Sequence, residues 1–471
     1  MFPFKSRSDY GADKEQVGKG AYGYVMSTTR GYAIKEVKHD NDQYLPHLSS
    51  ICEAAFLANI KSPYIVKCHD VIITNRSTLL VMPLAKTNLN NVIDHPELDI
   101  RKLSIQLCLG FADICNQGLY HFDLKPSNIL LNDNKLWIAD PGLASYYLFA
   151  HAPYHDTVST LWYRAPEIIL GDNLSHKADI WSIGVIIAEM ILSRKSKTNL
   201  FPGDDDDDQL SKIFEVMGTP KHDHYLTRLP QWESKGARLP HQAADLKLYL
   251  QSKGLSSDEI SLIRTILILD PEKRPSVFEL LHHPWFGLST IPKEIKPLEI
   301  LTNGIVKSLN KWKKRWQERN YLVSKMDKVC TAEQISLTTL CLAVSYIDNL
   351  KNSDEVDAMA AIYIATCLYE PIVPDPDRYR NGPKKRFSKA VRHMLKNLSF
   401  RIISPTPNHF LYLHFKDKDK LTQAEALLHK SIYTRSFVQS PQHLANNIIT
   451  IIEGKEETIG SSQLKKELIS L

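Results

Sequence analysis

The chain has 471 residues, 43% of them hydrophobic and 24% charged, with a formal net charge of +5; that length predicts two or three domains, each large enough to bury a core. Near-balanced charge makes no demand for a nucleic-acid or membrane partner, and no apolar run approaches the roughly 20 residues of a membrane span. The N-terminus, Met1-Phe-Pro-Phe-Lys-Ser-Arg7, lacks an apolar signal core, and seven scattered cysteines with no Cys-x-x-Cys pair argue for reduced thiols in an intracellular compartment, cytosol or nucleus, against a disulfide framework or a zinc site.

The first motif is Val17-Gly-Lys-Gly-Ala-Tyr-Gly-Tyr-Val25, with the Gly-x-Gly-x-x-Gly spacing at Gly18, Gly20 and Gly23. A dinucleotide fold or a plain turn supplies the same spacing. The strand-like Tyr32-Ala-Ile-Lys35 that follows stands where a dinucleotide fold would open a helix. A lone Lys in a strand is usually solvated, so Lys35 needs a carboxylate partner to mean more. Ile51 to Ile60 is an apolar-periodic helix ending before Ser62-Pro63, and Glu53 near its start is the candidate; an exposed helix-start Glu is the plainer alternative. Leu79-Leu-Val-Met82 reads as a further strand, followed by Pro83-Leu84-Ala85, where Pro83 lacks an amide hydrogen.

The densest signal is His121-Phe-Asp-Leu-Lys-Pro-Ser-Asn-Ile-Leu-Leu131 with Asp140-Pro-Gly142 after it. The apolar runs Ile129–Leu131 and Lys135–Ala139 predict two short strands carrying Asp123, Lys125, Asn128 and Asp140 at their ends. Any one of these side chains alone is an ordinary loop residue. Together they form the set that phosphoryl transfer from a nucleotide needs: a carboxylate for the hydroxyl proton, a cation for the moving phosphoryl group, and an amide with a second carboxylate for magnesium.

On these residues the sequence resembles the eukaryotic-type protein kinases over most of residues 1–286. The resemblance implies an α+β, two-lobed fold, with a small β-rich lobe and a larger helical one. It implies ATP and Mg2+ as cofactors. Gly18, Gly20, Gly23 and Lys35 would cradle the phosphates, with Glu53 as the partner of Lys35, and Val17 would also belong to the cofactor site. Val25, Ala33, Met82, Leu84 and Ala85 would surround the base. Asp123 and Lys125 would be catalytic, and Asn128 and Asp140 would hold the metal. Lys125 marks the Ser/Thr type. Thr160-Leu-Trp-Tyr-Arg-Ala-Pro-Glu167, Leu200-Phe-Pro-Gly203 and Phe214-Glu-Val-Met-Gly-Thr-Pro220 resemble the cyclin-dependent kinase branch. Within it Asp179 is expected to brace the catalytic-loop backbone, and Arg274 to pair with Glu167. Val158 and Arg164 align with the pocket behind a preference for proline-directed substrates, with Ser159 departing. The acidic run Asp204–Asp208 is expected as a solvated loop.

The departures from that pattern fall together. Phe122 replaces the family's Arg before the catalytic Asp. His155 stands where the branch carries its phosphorylated Thr, and Cys52, Phe122 and Ser145 stand where three phosphate-gripping arginines belong. Acceptor and cage being absent together, activation-loop phosphorylation is expected to be dispensable. Pro141 replaces a Phe and is expected to bias Asp140 toward extended backbone.

From Ile291 the composition shifts, and the division is expected at 1–287 for the kinase domain, 288–317 for a basic linker and 318–471 for a helical domain. Lys311 to Arg319 is basic with two Trp, more simply a linker helix than a nucleic-acid site. Helical patterns follow near Arg319, Leu337–Asp348, Ala358–Thr366 and Phe387–Leu398. Over residues 318–415 they resemble the cyclin box, although Cys367 and Val391 occupy the places of the family's Lys–Glu contact pair, while Glu370 remains. Residues 420–471 are too few for a full second box. Lys384-Lys-Arg-Phe-Ser-Lys389 adds another basic face, read as solvated. The composite reading is a Ser/Thr kinase acting on protein substrates, with a built-in cyclin-like domain that docks on the Glu53 helix. The roughly 30-residue connection reaches about 100 Å if extended, and tethering supplies roughly millimolar local concentration. The rivals are a pseudokinase scaffold, favoured by Phe122 and Pro141, and a cyclin-like part that engages a separate kinase. A large DNA virus is a conceivable source of such a fusion.

Overall fold

Alternation along Tyr32-Ala-Ile-Lys-Glu-Val-Lys38 sends Tyr32 and Ile34 to one side of a strand and Ala33, Lys35 and Val37 to the other, and the sheet is built on that division. The structure, a computed structural model, describes residues 5–20, 23–39, 45–133, 135–141, 161–172, 175–294, 316–350, 353–369, 378–379, 384–399, 406, 411, 414, 417–432, 441–453 and 459–469. Strands β1 (Asp13–Gly20), β2 (Gly23–Thr28), β3 (Tyr32–Lys38), β4 (Asp70–Ile73) and β5 (Ser77–Pro83) form a sheet in the order β1-β2-β3-β5-β4. On one face Tyr10, Ile34, Leu79 and Val81 form a small core with Tyr32 and Ile72. Tyr10 Oη and the Lys5 amide both donate to Asp70 Oδ2, at 2.9 and 2.7 Å, pinning the N-terminal turn there.

The helix α1 (Leu48–Asn59) is buried on nearly every side: Ile51, Glu53, Ala54, Ala55, Phe56 and Leu57 are all enclosed. A helix with no exposed face must have neighbours all round. Its Cys52 thiol lies 4.0 Å from the carbonyl oxygen of Cys367, in the Glu355–Tyr369 helix. Met1–Asn59, Cys68–Met82 and Ile295–Leu471 accordingly form one compact unit.

The helical part of that unit centres on Glu355–Tyr369, enclosed from Ala358 to Cys367. Trp316–Ala332, Leu337–Asn349 and Lys384–Asn397 surround it. Arg319, fully buried, meets Asp348 through Nε and Nη2 at 2.8 and 2.9 Å and donates through Nη1 to the carbonyl of Ile432 at 2.8 Å. A buried guanidinium with this many partners ties three segments into one arrangement. Lys418–Ser431, Pro441–Glu453 and Ile459–Ile469 form a further helical group. The helices expected near Leu337, Ala358 and Phe387 are present, and the basic Trp-containing stretch enters a helix at Trp316; its residues 311–315 lie outside the described residues. All seven cysteines are free thiols. Among the described residues no helix is long and apolar enough to cross a membrane.

The second compact unit holds Ile60–Lys67 and Pro83–Glu294. Its core helix is His176–Lys195, enclosed from Ala178 to Ser193. Gly184 on it has no alternative: a Cβ there would come within 2.6 Å of Ile266 and 2.7 Å of Leu267. A small sheet of β6 (Thr87–Asn88), β7 (Ile129–Asn132) and β8 (Lys135–Ile138) packs near the Ile100–Cys115 helix. The expected pair of Glu167 and Arg274 is present and buried, with two bonds of 2.6 and 2.7 Å.

One expectation fails in part. The acidic run is solvated at Asp204, Asp205 and Asp207 but it is not a loop: Asp205 caps the helix Asp206–Met217 by accepting from the Asp208 amide at 2.9 Å. Asp206 meets Arg164 Nη1 at 2.8 Å and Lys235 Nζ at 2.6 Å. Carboxylates at a helix N-terminus are stabilised by unpaired amides and the helix dipole, and two cations offset their mutual repulsion.

Candidate active site

In the first unit, Lys35 Nζ lies 2.7 Å from Glu53 Oε2. Strand register sets this up. Val25 faces Lys35 and Ser27 faces Ala33 across β2 and β3, so Val25, Ala33 and Lys35 project from one face of the sheet. Met82 is buried one residue beyond the β4–β5 pair Asp70 and Val81. The β1–β2 hairpin pairs Gly18 with Val25 and Gly20 with Gly23. At Gly23 a Cβ would stand 1.8 Å from the Glu36 carbonyl oxygen, so only glycine lets β2 approach β3 there. Val17 is exposed. Glu53 is almost wholly enclosed, and an isolated carboxylate in that place would be costly; Lys35 is its counter-ion.

In the second unit, the backbone from Tyr120 to Asn128 is folded around two carboxylates. Asp179 accepts from the amides of His121 and Phe122, each at 2.9 Å, as expected of it. Burial pushes the Asp179 carboxyl up to about 7, against the two amides that pull it down. Phe122 has φ 63°, a left-handed conformation costly for an aromatic residue; Asp179 holds it, and its ring lies 4.6 Å from that of Tyr120. His121 donates from Nε2 to the Ala139 carbonyl at 3.1 Å and accepts at Nδ1 from the Asp123 amide at 3.3 Å. That is a neutral imidazole, and burial lowers its affinity for a second proton.

Asp123 Oδ2 meets Lys125 Nζ at 2.8 Å. Asn128 Nδ2 donates to Asp123 Oδ2 at 3.0 Å and to the Asp123 carbonyl at 2.8 Å. With its nitrogen so engaged, the Asn128 side-chain Oδ1 is the atom that could accept a metal ion. The β7–β8 pair Ile129 and Ile138, with the Ala139 amide 2.9 Å from the Asn128 carbonyl, brings Asn128 and Asp140 to the same end of the hairpin. Among the described residues no three His, Cys, Asp or Glu side chains cluster as a metal cage. An amide oxygen and one carboxylate suit a hard cation that takes its remaining ligands from phosphate and water. Leu84 and Ala85 are half-buried in this unit.

Asp140 corrects a second expectation. Its φ is 58°, left-handed rather than extended; Asp tolerates this region better than most residues, and its position just past β8 decides the conformation over the bias from Pro141. Ser145, His155, Val158 and Ser159 lie outside the described residues. Residues 161–164 are held closely: Trp162 Nε1 donates to the Gly203 carbonyl at 2.8 Å, Tyr163 Oη to Glu189 Oε2 at 2.7 Å, and Arg164 to Asp206. Glu189, buried and also accepting from the Leu200 amide at 3.1 Å, was missed in sequence because it sits within the apolar stretch Ile183–Leu192 of its helix. The signal for Asp206 was present: acidic residues just before the periodic Leu210, Ile213 and Phe214 mark a helix start.

A family model described as the protein kinase domain matches residues 12–286. It spans both carboxylate–lysine pairs and more than half of the 471 residues, and the chain belongs to that family, a protein kinase.

Proposed function

We propose that the chain is a Ser/Thr kinase of the cyclin-dependent type, acting on protein hydroxyls and switched on by its own cyclin-like C-terminal part. The observation that carries the chemistry is the Asp123–Lys125 contact of 2.8 Å, with Asn128 locking the same carboxylate. Asp123 accepts the proton of the substrate hydroxyl as its oxygen bonds to the γ-phosphorus of ATP, and ADP leaves. Lys125, freed from Asp123 when substrate arrives, offsets charge on the transferred group. Lys35, steadied by Glu53, holds the α and β phosphates; the glycines of β1–β2 cover them, and Val25, Ala33, Met82, Leu84 and Ala85 line the base site. Asn128 and Asp140 would hold Mg2+, which supplies charge neutralisation to the phosphates. Proline-directed substrates follow from the branch likeness.

The reading of activation rests on α1. Glu53 is enclosed, Cys52 beside it meets Cys367, and Arg392 Nη1 lies 3.4 Å from the Thr74 carbonyl. The C-terminal helices thereby take the place of a separate cyclin. Activity independent of activation-loop phosphorylation is proposed on the sequence, where His155 replaces the acceptor Thr and Cys52, Phe122 and Ser145 replace its arginine cage; Trp162, Tyr163 and Arg164 are meanwhile anchored by Gly203, Glu189 and Asp206. Labelled-ATP assays beside an Asp123→Asn control test the activity. Phosphate mapping tests the rest: stoichiometric phosphate on residues 150–160, such as Thr157, that activity requires would refute it. A catalytically silent full chain whose cyclin-like part pulls down a separate kinase would favour the scaffold alternative.

A further inference from the structure

We propose that Lys385, Lys389, Arg392 and Lys396 form a docking row for an acidic segment of a protein partner. The helix Lys384–Asn397, KKRFSKAVRHMLKN, contains six Lys or Arg and no Asp or Glu. Phe387, Ser388, Val391, Met394 and Leu395 are buried, which fixes the rotation of the helix, and Lys385, Lys389 and Lys396 are exposed. Positions i, i+4, i+7 and i+11 fall on one stripe, stepping about 6, 4.5 and 6 Å along the axis.

Acidic partners stand along one flank of the stripe. Arg386 pairs with Asp354 at 2.8 Å, and Asp357 lies close to His393. Among the described residues Lys385, Lys389 and Lys396 make no ion pair. Like charges four apart repel, so the row carries a standing cost that a bound polyanion removes. Arg392 reaches the Thr74 carbonyl in the turn between β4 and β5, and that turn presents the exposed Arg76. The positive field thus continues from the helix onto the sheet within the same compact unit.

The ligand chemistry follows from spacing and from what the face lacks. In an extended peptide, alternate side chains lie about 6.6 Å apart on one face, close to the two outer steps of the row, Lys385 to Lys389 and Arg392 to Lys396, which are about 6 Å each. Single-stranded nucleic acid is gripped by cations interleaved with exposed aromatic rings, and the helix's one aromatic residue, Phe387, is buried. An acidic peptide fits the row better. The proposal concerns binding, so it stands or falls independently of the catalytic reading.

The test uses the full chain and a fluorescein-labelled peptide of about seven residues in which Glu alternates with Gly, read by anisotropy at low and physiological salt. Reversing all three lysines (Lys385→Glu, Lys389→Glu, Lys396→Glu) should weaken binding about tenfold or more, while the three Lys→Arg changes should hold it within about twofold. Unaltered circular dichroism and unfolding midpoint establish that the reversal variant is folded. Equal binding by the reversal variant overturns the proposal. So does a single-stranded oligonucleotide of equal charge that binds more tightly than the peptide and is released by the same reversal.

Discussion

The carboxylate of Glu53 rests 2.7 Å from Lys35 Nζ while being almost wholly sealed from solvent. The helix that carries it has Cys52 against the Cys367 carbonyl. The position of the ion pair is therefore linked, through one helix, to a segment more than 300 residues away in sequence.

Breaking the pair separates stability from catalysis. Lys35→Met takes the lysine away from a buried carboxylate and should cost about 3–5 kcal/mol in denaturant unfolding. Adding Glu53→Met removes the buried charge and should restore much of that stability. Phosphotransfer should stay at background in both variants. Recovery of activity together with stability would show that the pair serves only the fold.

Asp123→Asn keeps the shape of the side chain and removes the base. Turnover should fall by about two to four orders of magnitude, with ATP affinity changed little. Steady-state kinetics with ATP and protein substrate varied in turn check both halves.

At Cys52 the size of the side chain is tested. Cys52→Ala should leave turnover within about twofold, whereas Cys52→Arg places a bulky cation in a half-buried seam, a cost of several kcal/mol. The helix should shift, raising amide exchange over residues 48–59 and lowering turnover about tenfold or more. Hydrogen exchange and activity measured on the same preparations decide the matter.

Acid should destabilise the protein through His176, whose imidazole is depressed to about 4, first by burial and then by Lys177. A depressed histidine is neutral in the fold while the unfolded chain takes up its proton below about 6.5. Its contribution is therefore complete above pH 6.5 and lost as pH falls toward 4, by about 2–3 kcal/mol. Asp179 acts in the opposite sense, because its raised carboxyl favours the fold at low pH and that stability is lost as pH rises from about 4 toward 7. The difference between wild type and His176→Gln isolates the histidine. Urea unfolding at pH 7.5 and 5.0 should show the smaller pH loss in the variant.

Much of this was legible where local chemistry is decisive. The spacing of Asp123, Lys125 and Asn128 inside an eight-residue segment leaves few conformations that satisfy all three, and the two apolar runs beyond it form the hairpin as expected. Lys35 and Glu53 were readable as a possible pair, but their contact comes from the tertiary packing of α1 on the sheet. Two misreadings have different sources. Five adjacent Asp look self-repelling until Arg164 and Lys235 are brought beside Asp206. The residue before Pro141 looks extended until the end of β8 fixes it at φ 58°. At Asp206 partners distant in sequence outweighed the local preference; at Asp140 the neighbouring strand end did.

The most direct test of the account compares initial phosphotransfer rates of the full chain and of a chain ending before residue 300, with calorimetric ATP binding on each. If the C-terminal helices hold α1, their loss should leave the competent arrangement a state of about 1%. Turnover should fall by about two orders of magnitude and recover in part when residues 300–471 are added back separately. Undiminished turnover in the shortened chain would contradict the account.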